Sequence, residues 1–358
     1  MTSLTVLPGP VAADTHPLYS PPRPHPHPEP VATLHALANM GRNLIRYRIH
    51  GPHAMLRPLF FSWEINSVCN LRCPYCYLHD RSYGFSDRGL SFEDIKKVLR
   101  RIRRVCGDVM LLGGEPFLHP AWDAIVAYCR NNLKLRVRCI TNGTRLVDHL
   151  DSVRQLSLLV VSYDQKRCTE YPEAMADMRR QLRAVTRACP DLAILVNFVL
   201  CADDDPGWVI DRFERFARRG LNIFVNVDRH CGPGGVDRRI VDALRRIKHQ
   251  TGCVHMTDTT LNRLYDTSRT APFCHPTLLP VLDPRARLIY PCCYYDEQHA
   301  GSLLEMDYDT LLRVSSARYG RYPFDKCAAC TTTAYLDAAV TVRKPVEGIR
   351  HYHGLYNH

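Results

Sequence analysis

The chain has 358 residues with 46% hydrophobic and 23% charged side chains, an ordinary globular balance that excludes wholesale disorder and suffices for one large or two medium domains. No run approaches the roughly 18 apolar residues of a membrane span, and the N-terminus MTSLTVLPGP lacks the positive n-region and continuous apolar stretch of a secretory signal, so the expected location is cytoplasmic. The net charge of +11 rests on 47 basic residues, seven of them Lys, and this arginine excess suits phosphate, carboxylate and nucleic-acid partners and a GC-rich genome equally, so it selects no partner.

Residues 8–30 carry nine prolines, with PPRPHPHPEP over 21–30, and are expected to form an extended tail outside the fold (1–30). His25 and His27 have no nearby Cys or Asp to complete a metal shell. From Val31 to about Arg48, the residues Val31, Leu34, Leu37, Leu44, Ile45 and Tyr47 predict an amphipathic helix (region 31–54) that packs on the following domain. Fewer than sixty residues precede that domain, too few for a complete winged-helix peptide-recognition module.

From residue 59 onward, apolar runs alternate with helix-period segments, as repeated βα units require. The predicted strands are Leu59 to Ile65, Val109 to Leu112, Leu135 to Ile140, Leu158 to Ser162, Ile194 to Leu200 and Asn222 to Val227. Ser91 can cap the helix SFEDIKKVLRRIRRVC, whose apolar face is Phe92, Ile95, Val98, Leu99, Ile102 and Val105. Further helices are expected around 121–130, 145–155, 170–188, 207–219 and 236–249. Such a parallel α/β chain forms a barrel or partial barrel with its active site at the C-terminal strand ends.

Sixteen cysteines without an export signal point to metal or redox chemistry. After the first strand comes Cys69-Asn70-Leu71-Arg72-Cys73-Pro74-Tyr75-Cys76. Three thiolates so spaced can hold three corners of a cubane iron-sulfur cluster and leave one iron open to a ligand. The bare triplet also suits zinc or a four-cysteine cluster completed from elsewhere. The second strand runs into Gly113-Gly114-Glu115-Pro116, where residues without Cβ admit close approach to the backbone and Glu115 offers a carboxylate to an ammonium group.

The two motifs together, one βα unit apart, resemble the radical S-adenosylmethionine (SAM) superfamily, whose CxxxCxxC loop follows the first barrel strand with an aromatic, here Tyr75, before the third Cys. The resemblance implies a partial (β/α)6 TIM-like barrel over 55–250. It implies a [4Fe-4S] cluster on Cys69, Cys73 and Cys76, and a methionyl amine received by Glu115 beside Gly113 and Gly114. It also implies further SAM contacts from Asn142, Ser162, Asp164 and the backbone of Tyr77. The cluster of such enzymes cleaves SAM to methionine and a 5′-deoxyadenosyl radical.

Downstream stand Cys274, the pair Cys292 and Cys293, and Cys327-Ala328-Ala329-Cys330. Four such thiolates saturate a zinc ion or a four-iron cluster. The arrangement is similar to the auxiliary-cluster extensions called SPASM and Twitch, which makes 251–340 a small C-terminal cysteine-rich extension and Cys274, Cys292, Cys327 and Cys330 the ligands of a second [4Fe-4S] cluster, with 341–358 as a tail. Arg287 replaces the glycine expected five residues before the hairpin Cys, and no cysteine follows Cys330. That fits one auxiliary cluster of Twitch type.

Cys231, in the glycine-rich loop Asp228 to Gly235 after the sixth strand, is a candidate hydrogen-atom donor or auxiliary ligand. Cys106, Cys129, Cys139, Cys189 and Cys201 read as buried small hydrophobes. Six of the nine residues Lys96 to Arg104 are basic, a solvated helix face that could also dock a flavodoxin- or ferredoxin-type reductant. The expected activity is hydrogen abstraction from a small-molecule substrate of natural-product biosynthesis. Maturation of a ribosomal peptide is the second reading, and a non-enzymatic iron-sulfur electron carrier is the reading from another class. No RNA-binding motif supports nucleic acid as a partner.

Overall fold

The computed structural model describes residues 30–228, 236–265, 274–290, 292, 299, 301–320 and 332–348. The residues before 30, Cys231 with most of its loop, Phe273, Cys293, Cys327, Cys330 and the residues from 349 lie outside this set. The strands are β1 (Phe61–Asn66), β2 (Asp108–Gly113), β3 (Arg136–Thr141), β4 (Leu158–Tyr163), β5 (Ile194–Leu200), β6 (Asn222–Val227), β7 (Val281–Leu282) and β8 (Leu288–Ile289). The helices are α1 (Pro30–His50), α2 (Phe92–Val105), α3 (Trp122–Ala127), α4 (Leu150–Val153), α5 (Gln165–Glu170), α6 (Pro172–Ala188), α7 (Pro206–Arg218), α8 (Arg238–Thr251), α9 (Asp258–Tyr265), α10 (Tyr308–Tyr319) and α11 (Thr333–Arg343).

Strands β1 to β6 are all parallel and lie in chain order in one sheet, β6-β5-β4-β3-β2-β1-β7-β8. Sequential parallel neighbours require a crossover between each pair, which the intervening helices supply. Among the described residues β6 does not pair with β8, so the sheet stays an open, partial barrel. The six strands expected from the sequence are present, two with identical bounds. In addition β7 pairs parallel with β1, Ser62 opposite Val281, and β8 folds back on β7. The expected helices at 121–130 and 145–155 are shorter, because α3 passes into a π turn at Tyr128–Asn132 and a 3-10 turn precedes α4.

Alternation along the strands sorts the residues into two layers. Phe61, Trp63 and Ile65 of β1, Val109 and Leu111 of β2 and Val137 of β3 are fully buried in the main core with Ile95, Val98, Leu99 and Ile102 of α2. Ser91 caps α2, its hydroxyl accepting from the Asp94 amide at 3.2 Å. The opposite residues, among them Met110, Val160 and Leu195, face inward with Phe60, Leu112 and Phe224. Cys106, Cys129, Cys139, Cys189 and Cys201 are buried, as small hydrophobes would be.

At the N-terminal strand ends Asp108, fully buried, takes two hydrogen bonds from Arg136 (2.9 and 2.7 Å) and one from Arg138 (2.8 Å), and Arg138 also lies over the Phe60 ring at 4.8 Å. Two guanidiniums on one carboxylate satisfy its lone pairs where water is absent. On α2, Arg101 donates to the Leu303 and Met306 carbonyls (2.6 and 3.0 Å) and Arg103 to that of Leu133 (2.8 Å). Part of the basic stripe therefore fastens α2 to its neighbours.

Helix α1 departs from expectation in its orientation. It exists over the expected span, but Val31, Leu34, Leu37 and Ile45 are exposed, and the face against the body carries Ala32, Asn39 and Asn43. The reason is backbone capture: Asn39 donates to the carbonyls of Pro58 (3.2 Å) and Val105 (2.9 Å), and Asn43 exchanges hydrogen bonds with the Arg57 backbone at 2.8 and 2.6 Å. Buried backbone groups need partners, and these two amides supply them where leucines could not.

Breaking the Asp108 cluster leaves two guanidiniums without their buried carboxylate, so Asp108→Ala should lower unfolding free energy by about 3–5 kcal/mol. The exposed pair Arg57–Asp309 at 2.5 Å offers the contrast, and Asp309→Ala should change it by less than about 1 kcal/mol. Urea unfolding of the two variants beside the wild type measures both.

Candidate active site

The sheet register slips between Glu64 and Asn66 as β1 pairs with β2, a bulge that turns the chain out of the sheet and into the cysteine loop. The loop is then clasped by the end of β2. The Gly114 amide donates to the Asn66 carbonyl at 3.0 Å and the Glu115 amide to that of Val68 at 2.8 Å. A Cβ on Gly113 would stand 2.1 Å from the Asn66 oxygen, and one on Gly114 would stand 2.3 Å from the Val68 oxygen. These glycines are thus required by the approach of the cysteine loop itself, as well as opening the backbone to a ligand.

Cys69, Cys73, Cys76, Gly113, Gly114, Tyr75 and Tyr77 all border one cavity of about 440 Å³ inside the partial barrel, which Asn142 and Ser162 also reach. Its lower walls are the inward apolar residues of the sheet. Thr332, Tyr335 and Asp337 border it from the start of α11, which is held to β6 by Thr333 Oγ1 lying 2.6 Å from the Val225 carbonyl and 2.8 Å from Asn226 Oδ1.

Within the loop, the Leu71 amide donates to Cys69 Sγ at 3.4 Å, and the Cys76 amide closes a turn on the Cys73 carbonyl at 3.0 Å. Burial pushes the Cys69 thiol up, and that of Cys76 to about 11. An added positive charge at the sulfurs would reverse that trend. Among the described residues no three His, Cys, Asp or Glu side chains converge on one point as ligands of a single ion would. Thiolates around a cubane bind three different irons, so this spread is what a cluster site needs and what a mononuclear zinc site lacks.

Glu115 is fully buried, and its carboxylate accepts from Thr141 Oγ1 (2.7 Å), the Phe117 amide (3.3 Å) and the Asn142 amide (2.8 Å). Burial raises it to about 7 against the pull of those three donors. It stands behind the cavity wall with three of its roughly four acceptor positions filled. Asn142 reaches the cavity with its amide directed to Asn70 Oδ1 (2.8 Å) and, more distantly, Cys69 Sγ (3.9 Å). Ser162 borders the cavity from β4, and the Tyr77 side chain is buried in the turn after the cysteines. Asp164 caps α5, accepting from the Arg167 amide at 2.8 Å, and takes the Tyr75 hydroxyl as a second donor.

Cys274 is buried in a separate apolar cluster with Leu56, Leu278 and Ile289, and Cys292 packs against the same cluster. The structure thus brings these two together, away from the main cavity. The preceding β7–β8 hairpin turns at Ala286, whose φ is +55°, and Arg287 there donates to Asp283 at 2.6 Å. Cys231, Cys327 and Cys330 fall outside the described residues.

Two site residues escaped the sequence reading. Glu64 borders the cavity from β1, only 1% exposed, and accepts from the Tyr83 hydroxyl at 2.6 Å. Its signal was available, since a carboxylate at an inward position of an apolar strand is costly unless used. Arg167, on α5, places Nε 3.2 Å from Cys73 Sγ. Nothing in its sequence context announces that.

Burial raises Glu64, like Glu115, to about 7. A carboxyl raised on folding binds its proton more tightly in the folded state, so it withdraws stability as pH rises from about 4.5 to about 7 and no further above that. Glu64→Gln should therefore match wild type near pH 4 and gain on it by roughly 1.4 kcal/mol per pH unit across that window. Urea midpoints of the metal-free proteins at pH 4, 5, 6, 7 and 8 test it; a difference independent of pH would refute the assignment.

Residues 63–247, over half of the chain, match the profile of the Radical SAM superfamily. Among curated proteins, the chain is 35% identical over 104 residues to the GTP 3',8-cyclase of Cronobacter sakazakii, covering 28% of this chain and 31% of that one. It is 31% identical over 158 residues to the GTP 3',8-cyclase of Pectobacterium atrosepticum, covering 40% and 47%. The chain spans less than half the length of these relatives. Among solved structures, Streptococcus suis SuiB bound to precursor peptide SuiA superposes with a TM-score of 0.55 at 17% identity, over 84% of this chain and 75% of that one. SuiB bound to S-adenosylmethionine gives 0.52 at 14% identity, over 84% and 74%. Those likenesses concern the fold.

Proposed function

The chain belongs to the radical SAM superfamily and is a radical SAM enzyme, and on that premise we propose that it abstracts a hydrogen atom from a small-molecule substrate of natural-product biosynthesis held in the barrel cavity. The observation that carries this reading is the convergence of Cys69, Cys73, Cys76, Gly113, Gly114 and Ser162 on one enclosed space of about 440 Å³. The donor set fits the [4Fe-4S] cluster and SAM that the family implies: three thiols spread around a cavity, a buried carboxylate one strand away, and a polar rim at the C-terminal strand ends.

When bound, the cluster supplies the electron that cleaves SAM and so generates the hydrogen-abstracting 5′-deoxyadenosyl group. Everything else falls to the chain. Cys69, Cys73 and Cys76 hold three corners, and their loop is fixed by the β2 clasp. Glu115 keeps one acceptor position for the methionyl amine, and Asn142, Ser162, Asp164, Tyr75 and the Tyr77 backbone frame the rest of SAM. The apolar inner walls of Met110, Val160 and Leu195 exclude water and leave a radical no hydrogen donor but the substrate. Containment and orientation are the protein's contribution.

The substrate preference is supported by charge. Among the described residues the cavity's two arginines are both engaged, Arg138 with Asp108 and Arg167 with Asp164, which leaves neither set out to clamp a triphosphate. A peptide substrate is the second reading, favoured by the SuiB-like fold, and binding of a leader peptide to the purified chain would establish it. In the C-terminal region, Cys274 and Cys292 sharing one apolar cluster supports the auxiliary [4Fe-4S] cluster, with Cys327 and Cys330 as its other ligands and one-electron transfer from the product radical as its role. The organisation proposed is a core over 55–250 and an auxiliary-cluster region over 251–340, with a flavodoxin- or ferredoxin-type protein as reductant.

Anaerobic reconstitution followed by iron and sulfide analysis, with dithionite-driven formation of 5′-deoxyadenosine from SAM, tests the whole reading. Wild type should hold about eight irons, and a variant with Cys69, Cys73 and Cys76 changed to Ala about four, with no SAM cleavage. About four irons in wild type, all lost in the variant, would remove the auxiliary cluster. A fully loaded wild type that leaves SAM intact would favour an electron carrier.

A further inference from the structure

The feature of the site that the preceding reading leaves unused is Arg167. Its guanidinium is almost enclosed, its side chain 14% exposed, on the cavity wall beside the cysteine loop. Nε lies 3.2 Å from Cys73 Sγ and 3.5 Å from Asp164 Oδ2, and Nη1 is buried without a hydrogen-bond partner. The guanidinium also lies 5.8 Å from the centre of the Tyr75 ring, whose hydroxyl is bonded to the same Asp164. The side chain is therefore held from two directions. Asp164 fixes it from α5, and Tyr75 links that carboxylate back to the cysteine loop.

We infer that Arg167 sets the reduction potential of the cluster on Cys69, Cys73 and Cys76, by donating an N–H to the Cys73 sulfur and holding a fixed positive charge beside it. This rests on the cluster assignment made above. Reduction by a low-potential one-electron donor adds one electron to the cluster and neither makes nor breaks a bond, so the full change appears as one extra negative charge on the iron-sulfur unit. A cation a hydrogen bond away from one ligand stabilises that added charge more than it stabilises the oxidised state. Hydrogen bonds to the sulfurs and local charge are among the levers that set such potentials. Because little water reaches the site, the attraction is screened less than it would be at the surface. Arg167 is a positioning and tuning residue in this account, and the unpartnered Nη1 offers a second N–H towards the same anionic unit.

The test is a potentiometric titration of the reconstituted protein, without SAM, following the reduced cluster by electron paramagnetic resonance in wild type, Arg167→Gln and Arg167→Lys, with iron counted in each. The C-terminal cysteines are replaced by Ala in all three, so that one cluster is read. Loss of charge and donor in Arg167→Gln should shift the reduction equilibrium at least about tenfold towards the oxidised form, about 59 mV for one electron. Arg167→Lys keeps the charge and should stay within about threefold of wild type. An Arg167→Gln protein with full iron and the wild-type midpoint overturns the inference. If that variant fails to hold iron, wild type decides: protein labelled with 15N in its arginine guanidiniums must show a nitrogen coupled to the reduced cluster by electron-nuclear double resonance, and its absence overturns the inference equally. Wild type that binds no iron at all points instead to failure of the cluster assignment.

Discussion

Three strand ends meet at the carboxylate of Glu115, and its position sets that of nearly everything else in the site. Through its own amide it holds Val68, and through its side chain it holds Thr141 and Asn142 at the end of β3. Gly113 and Gly114 make the first contact physically possible, because any Cβ there would overlap the carbonyls of the cysteine loop. The loop's shape is therefore borrowed from β2 and β3. Burial of an acid without a fully compensating cation raises its proton affinity, which is how a residue at this junction can be both a structural tie and a potential partner for an ammonium group.

Around that junction the cavity divides by chemistry. Below, alternate strand residues give an apolar wall, and lower still Asp108, Arg136 and Arg138 form a closed charge cluster at the strand bases. Above, thiols, amides, hydroxyls and carboxylates crowd the C-terminal ends, with Tyr75, Asp164 and Arg167 linked to one another beside Cys73. The separation follows from the parallel sheet, which directs all its C-terminal ends, and the loops that leave them, to the same side. An apolar enclosure under a polar rim is suited to chemistry in which a reactive carbon must meet one C–H bond and nothing else.

The outer surface obeys a different constraint. Helix α1 turns its asparagines inward because the loop at Arg57 and Pro58 and the end of α2 present backbone carbonyls that need donors, and this outweighs the burial of Leu34 or Ile45. Its periodic apolar residues were read as a core face on the ordinary premise that hydrophobic stripes point inward, and here the premise failed. The basic run on α2 shows a related lesson. Arg101 and Arg103 look like solvated charge in the sequence, yet both cap the carbonyls of neighbouring segments.

The sequence by itself determined the six parallel strands, the α2 helix with its Ser91 cap and the pairing of the CxxxCxxC loop with GGE, because each is written locally, in periodicity or in residues whose spacing carries the chemistry. Glu64 was half legible, as a carboxylate on the inward phase of β1. Only the tertiary structure decided that the glycines serve the cysteine loop, that Glu115 is tied to β3, that β7 joins the sheet beside β1, and that Arg167 stands against Cys73. The physical reason is the same in each case. Those contacts join residues far apart in the chain, 94 positions in the case of Arg167 and Cys73, and a pattern read along the chain carries no measure of distance through space.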